Sequence, residues 1–233
     1  MPCYERNFGL AGEENSALIK EFADTLGISI VGIGFLAPVR GRFHPSIIEA
    51  AQSMNFGISM GIRLSDSITE GIKDEPTLLY KHHYSAVNRL LDQIALKVAD
   101  EIQKKNFKAM PIPASQIVDW EKQLGHLPHR AVAYQAGLGW IGRSGLLVNP
   151  GLGARVRYVT VLTDMPLQAD QPMEAGCGDC YKCLELCPAG AITKEGYDKE
   201  KCLDKLKEFA KKQGIGQYIC GVCVRACAGK GNK

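Results

Sequence analysis

Apolar and polar residues alternate along this chain with periods that assign most of its elements. From Glu13 to Leu26, Ala17, Leu18, Phe22 and Leu26 fall on one helical face, acidic residues open the segment and Gly27 closes it, which predicts an amphipathic helix. Ile28 to Leu36 follows as a buried strand, Ser46 to Met54 as a short helix, and Phe56 to Leu64 as a strand of small and apolar residues. The strongest period runs from Thr77 to Lys105, where Leu79, Val87, Leu90, Leu91, Ile94, Val98 and Ile102 recur at helical spacing and Lys and Asp fill the other face. Phe107 to Ile112 reads as a strand, His129 to Gln135 as a helix, and Gly145 to Val148 and Arg155 to Thr163 as strands flanking a Gly-Pro-rich turn. Helices and strands alternate without a regular βαβ period. The expectation is an α+β domain over residues 1–168, a linker at Asp170-Gln171-Pro172, and a second domain over residues 169–233.

Composition supports folded domains. Of 233 residues, 45% are hydrophobic and 23% charged, values typical of a globular protein and far from those of disorder. The net charge is +3 and is spread evenly, with 17 Lys+Arg against 16 Asp+Glu in residues 1–168 and 11 against 9 in the remainder. Neither part is a basic domain, so charge gives no support to a hold on nucleic acid. The N-terminus carries no basic stretch followed by an apolar core, and no window approaches a membrane span. A soluble cytoplasmic protein without a membrane partner is expected. Nine cysteines in that compartment point to metal or catalysis before disulfides. Cys3 stands apart from the other eight as an isolated N-terminal thiol.

Those eight carry the chemistry. Cys177-x2-Cys180-x2-Cys183-x3-Cys187-Pro188 is the bacterial ferredoxin run, in which three cysteines wrap one cubane and the fourth, before proline, reaches its neighbour. Cys202 and Cys220-x2-Cys223-x3-Cys227 complete eight ligands for two [4Fe-4S] clusters. If the groups pair as in two-cluster ferredoxins, Cys177, Cys180, Cys183 and Cys227 hold one cluster, and Cys187, Cys202, Cys220 and Cys223 the other. Two structural zinc sites are the alternative, since four-cysteine zinc sites also use two-residue gaps, but they seldom use three such cysteines followed by Cys-Pro. Residues 198–219, with Leu203, Leu206 and Phe209 at helical spacing, predict a helix over the clusters whose interleaved charges form a solvated face.

The segment from His129-Arg130 through Gly137-Leu138-Gly139-Trp140-Ile141-Gly142-Arg143 to Leu147-Val148, with Val161-Leu162-Thr163-Asp164 and the cysteine tail, resembles the epoxyqueuosine reductase family. The resemblance is strong from Arg130 to Cys227 and weak before it. It implies a nitroreductase-like N-terminal domain that binds cobalamin, followed by a bacterial ferredoxin-like double-cluster domain. It further implies an oxidoreductase fed by an external low-potential donor of the ferredoxin or flavodoxin type. Carried over, Leu147 and Tyr158 match cobalamin contacts, Gly221 and Val222 lie beside the proximal cluster, and Arg143 replaces a family lysine. Gly137, Gly139 and Gly142 would let backbone approach a large flat ligand, or else mark tight packing turns. The same glycines form a dinucleotide fingerprint, which is rejected because a helix and not a strand precedes them.

Two departures shape the functional expectation. Counting back six residues from His129-Arg130, which replaces the family's Glu-Arg pair, Gln123 stands where the family's catalytic aspartate would, and an amide cannot act as a general acid. The nearest titratable residue is His126, of a type suited to proton transfer near neutral pH. The chain also ends six residues after Cys227, short of the family's C-terminal tRNA-binding repeats. With the near-neutral charge, this argues against tRNA and for a small-molecule substrate. A two-cluster electron carrier and a minimal epoxyqueuosine reductase are the alternatives. His82-His83 read as a surface pair, and Trp120 and Trp140 as core or cofactor-wall aromatics.

Overall fold

The computed structural model describes residues 9–229, so Cys3 lies outside the described residues. In chain order the elements are α1 (Gly9–Thr25), β1 (Ile30–Phe35), a 3-10 turn (Arg40–Arg42), α2 (Pro45–Ile48), β2 (Phe56–Arg63), α3 (Asp66–Glu70), α4 (Leu78–Lys104), β3 (Ala109–Ile112), α5 (His129–Gln135), β4 (Trp140–Ile141), β5 (Leu147–Val148), β6 (Val156–Thr163), α6 (Lys182–Glu185), α7 (Lys199–Ala210) and α8 (Val222–Ala226). The mixture of helix and sheet is the expected α+β class. Among the described residues no helix is long and apolar enough to cross a membrane.

Two compact units emerge, and they interleave along the chain where a single boundary at 168/169 was expected. The first takes residues up to Ile62, Asn88–Leu138 and Arg157–Met173, and the second takes Arg63–Val87, Gly139–Val156 and the chain from Glu174. Packing decides membership more than linker composition does. Within the second unit, for example, Gly221 of the cysteine segment lies against the Tyr80 ring and Ile72.

In the first unit the sheet runs β1-β2-β6-β3. β1 and β2 are antiparallel, with Ile30 opposite Gly61 and Phe35 opposite Phe56, and β3 and β6 are antiparallel, with Ile112 opposite Thr160. Glycines make one face of β1 and β2 shallow enough for α5. A Cβ at Gly32 would stand 2.3 Å from the Ala136 carbonyl oxygen, and one at Gly57 2.7 Å from Val132 Cγ1. Leu36, Phe43, Ile47, Ile112, Val132 and Leu162 belong to the core cluster beside this contact. Burying such side chains supplies roughly 1.5–3 kcal/mol each.

The structure corrects several expectations from periodicity. The buried side of α1 is Gly12, Ser16, Ile19 and Ala23, while Leu18 is exposed. Small residues win this face because the helix approaches backbone closely: Ser16 Oγ accepts a hydrogen bond from Gln168 N at 2.8 Å, and a Cβ at Gly12 would meet Leu167 and Gln168 backbone at 3.5 Å. On α4, Val87, Leu91, Ile94, Val98 and Ile102 are buried, but Leu79 and Leu90 keep the period and face out. Trp120 is 67% exposed and so belongs to no core. The helix expected over 198–219 closes at Ala210, before Gly214 and Gly216 with their positive φ. Asp198 caps it by accepting from Lys201 N at 3.0 Å, and Lys205–Glu208 and Lys207–Asp204 pair along its exposed side.

Candidate functional site

All eight cysteines of the tail lie in the second unit, half-buried and free of disulfides. Cys177 and Cys180 precede α6, Cys183 lies within it and Cys187 follows it, while Cys202 is on α7. Cys220 precedes α8, Cys223 lies inside it and Cys227 caps its end. Their mutual charge effects sort them into two sets. Cys183 feels Cys177, Cys227 and Cys180, and Cys227 feels Cys177 and Cys180. Cys220 feels Cys202 and Cys187, and Cys223 feels Cys220, Cys202 and Cys187, with Cys183 the one link across. Among the described residues no three Cys, His, Asp or Glu side chains converge to hold a single ion. A polynuclear cluster would hold its thiolates further apart, because each binds a different iron.

Burial pushes the Cys183, Cys220, Cys223 and Cys227 thiols up, Cys220 to about 11 and Cys223 further, because desolvation penalises a bare thiolate and neighbouring thiolates add repulsion. Bare, these four are neutral thiols. Iron replaces their protons, so its binding is coupled to proton release. The surrounding backbone is tightly fitted. Arg143 donates to the carbonyl oxygens of Gly178 at 2.6 Å and Cys180 at 3.3 Å, and its guanidinium lies 4.4 Å from the Tyr181 ring centre. Ala191 N donates to Cys187 Sγ at 3.4 Å. Cys227 O accepts from Ala154 N at 3.3 Å. A solvent-open cavity is walled by Cys177, Cys180, Cys183 and Cys227, with Trp140 and Gly142 beside them. The donor set and this shared cavity fit an iron–sulfur cluster.

The other sequence-derived residues are placed as follows. In the second unit, Leu147 is buried on β5 and pairs with Ile141, while Gly221 and Val222 are buried at the start of α8. In the first unit, Tyr158 is buried on β6 and its hydroxyl has no hydrogen-bond partner among the described residues. Burial raises its pKa, so the phenol stays protonated. His126 has Nδ1 3.3 Å from Ser46 Oγ and Nε2 3.1 Å from Gln116 Oε1, and its carbonyl accepts from His44 N at 2.8 Å. Gln123 adopts a positive φ of 51° and donates its amide to the Trp120 carbonyl at 2.6 Å.

The glycine motif is tightly packed. A Cβ at Gly137 would stand 2.6 Å from Gln171 O, at Gly139 2.1 Å from Val148 O, and at Gly142 2.7 Å from Val148 Cγ2. Of the histidine pair, His82 is exposed, and His83 Nε2 accepts from Ser65 N at 3.0 Å. Burial, joined by the His82 charge, lowers the His83 pKa.

His129 was not among the expected site residues. It opens α5 with Nδ1 2.8 Å from Thr160 Oγ1 and Nε2 2.9 Å from Pro113 O. The carbonyl can only accept, so Nε2 carries the proton and the Thr160 hydroxyl donates to Nδ1. Burial, with the Arg157 charge behind it, lowers its pKa to about 4. The unfolded chain therefore takes up the proton first. Stability is complete above about pH 6.5 and falls as pH drops toward 4. Against His129→Gln, the native protein should lose up to ~3 kcal/mol between pH 7 and pH 4 in urea unfolding, and parallel pH curves would contradict this.

No family model matches the sequence. The epoxyqueuosine reductase of Bacillus anthracis is 36% identical over 112 residues, covering 44% of this chain and 30% of that protein. The chain spans less than half the length of the curated relatives it matches, 30% to 41% in the examples of Bacillus anthracis and Salmonella typhimurium. The epoxyqueuosine reductase from Streptococcus thermophilus aligns at a TM-score of 0.65 and 23% identity, covering 93% of this chain and 66% of that one. A reductive dehalogenase structure described as suggesting a mechanism for B12-dependent dehalogenation aligns at 0.73 and 22%, covering 93% and 32%. At such identities the two structures show a shared fold.

Proposed function

We propose, on the footing of 36% identity to an epoxyqueuosine reductase over 112 residues, that this chain is an epoxyqueuosine reductase-like protein, a cytoplasmic iron–sulfur oxidoreductase with a nitroreductase-like first unit and a ferredoxin-like second unit. The cysteines would hold two [4Fe-4S] clusters, which would supply single electrons, and the chain would hold a corrinoid, which would supply the reduction of a small-molecule substrate. The observation that carries the proposal is the single cavity that Cys177, Cys180, Cys183 and Cys227 wall together. Cys177, Cys180, Cys183 and Cys227 would hold one cluster, and Cys187, Cys202, Cys220 and Cys223 the other. Each cluster, when bound, supplies one-electron transfer at a potential set by hydrogen bonds to its sulfurs and by exposure.

The chain's own residues have definable parts in this scheme. Arg143 braces the first cysteine loop through the Gly178 and Cys180 carbonyls, which holds two ligands in register. Leu147 is the corrinoid contact the resemblance supplies in the second unit, where Gly221 and Val222 would lie beside the proximal cluster. Tyr158 is the first unit's contact, and its buried partnerless hydroxyl supports that role. Kept protonated by burial, that hydroxyl would be a hydrogen-bond donor to a bound group and not a base. His126 is the residue offered for proton transfer. A donor of ferredoxin or flavodoxin type supplies the electrons from outside.

A second reading is an electron carrier without its own catalysis. It is favoured by Gln123, an amide tied to the Trp120 carbonyl where an acid was sought. Protein purified anaerobically and incubated with cobalamin separates the two. Corrin absorption that survives desalting is the expected result, and protein that elutes free of corrin would remove the corrinoid step and leave the carrier.

A further inference from the structure

The cluster reading leaves one buried group of the second unit unexplained. Trp140 opens β4 and is only 5% exposed, and its indole Nε1 is buried with no hydrogen-bond partner among the described residues. Such donors are rare in folded proteins, because a desolvated N–H without an acceptor costs about 1–3 kcal/mol. The short β4–β5 ladder, with Trp140 opposite Val148, pairs only backbone and offers the indole nothing. The Trp140 ring does, however, wall the same cavity as Cys177, Cys180, Cys183 and Cys227. Two residues on, the chain comes so near these ligands that a Cβ at Gly142 would stand 3.3 Å from Cys177 Sγ.

An indole N–H can only donate, and the cavity that Trp140 lines also carries four cysteine sulfurs. We propose that Trp140 Nε1 donates a hydrogen bond to a sulfur of the cluster held by Cys177, Cys180, Cys183 and Cys227, and so raises that cluster's potential relative to its partner. The proposal rests on the cluster reading above. One-electron reduction adds a negative charge to the cluster, and a donor aimed at its sulfurs stabilises the reduced state more than the oxidised one. Two cations line the cavity, Arg143 and Lys182, and Arg143 already gives donors to the Gly178 and Cys180 carbonyls. Trp140 is thus a positioning and tuning residue for electron flow.

The test uses anaerobic holoprotein and Trp140→Phe, which keeps an aromatic ring and removes the N–H. In a potentiometric titration followed by electron paramagnetic resonance, the reduced-to-oxidised ratio of one cluster at a fixed potential should fall roughly tenfold, about 59 mV for one electron. The other cluster should not move. Unchanged midpoints in variant protein with its full iron overturn the role of Trp140 and leave the clusters in place. Native protein without iron overturns both, so the two failures are distinguishable by iron content. If Trp140→Phe does not assemble, native protein labelled with 15N-indole tryptophan decides. The chain has two tryptophans, and Trp120 is exposed in the first unit. A 15N coupling to a reduced cluster that persists in Trp120→Phe is expected, and its absence overturns the proposal.

Discussion

Cys227→Ser is expected to abolish the same cluster signal as Cys180→Ser, and Cys223→Ser the same signal as Cys220→Ser, although Cys223 and Cys227 are neighbours on one short helix. Each single variant should keep about four of the roughly eight irons of two cubanes. The expectation follows from the pairing of two-cluster ferredoxins and from the cavity that Cys227 shares with Cys177, Cys180 and Cys183 and that Cys223 does not line. α8 spans Val222–Ala226, so one end of it serves each set. Iron counts and paramagnetic spectra of the four variants read the partition directly. If Cys227→Ser and Cys223→Ser removed the same signal, the two sets as drawn here would be wrong.

The second large effect is expected at Gly153. It sits at φ +65°, and a Cβ there would stand 2.0 Å from Cys227 O and 2.7 Å from Gly229 N. Gly229, at φ +79°, is equally pressed, since its Cβ would meet Asn149 O at 2.3 Å. Backbone faces backbone at both points, so no side chain can swing aside. A left-handed conformation costs a non-glycine residue about 1–2 kcal/mol, and overpacking adds about 1–3 kcal/mol. Gly153→Ala should therefore lose ~2–5 kcal/mol of stability, and because the clash falls on the ligand residue Cys227, about half of the iron as well. Gly41→Ala is the control. Nothing lies within 4 Å of its Cβ position and its φ is not positive, so its stability should stay within about 0.5 kcal/mol. Equal melting and iron for the two variants would contradict the tight turn under Cys227.

The elements most legible in the sequence are those whose period outlasts a turn or two. α5 occupies the expected His129–Gln135, and β6 runs Val156–Thr163 against an expected start at Arg155. β2, buried along nearly its whole length, announces itself as a continuous apolar run. α3, α6, α8 and β4 are each five residues or fewer, too short for any period to register. The burial face of α1 was hidden for a different reason. Gly12, Ser16 and Ala23 count for little in hydrophobicity, yet their small size is what admits close contact.

The same contrast holds at the candidate site. The cysteine spacing speaks for clusters on its own, because ligand gaps are local. Which cysteine crosses to which cluster depends on placement in space, so spacing alone yields the partition only conditionally. The glycines of Gly137 to Gly142 read equally as serving a ligand or packing, and at Gly139 the carbonyl of Val148 accounts for the glycine by packing. His129 carries no motif, since its partners Pro113 and Thr160 lie 16 and 31 residues away in sequence. Its one trace in sequence is a polar residue heading a helix whose next residues, Ala131, Val132 and Ala133, are all buried.

The central claim, two [4Fe-4S] clusters on Cys177 to Cys227, is tested most directly by the iron, sulfide, zinc and cobalt content of anaerobically purified protein. The account predicts about eight irons and as many sulfides per chain, with cobalt bound after exposure to cobalamin. About two zincs per chain without iron or sulfide would contradict it and restore the paired zinc sites that the cysteine gaps alone leave open.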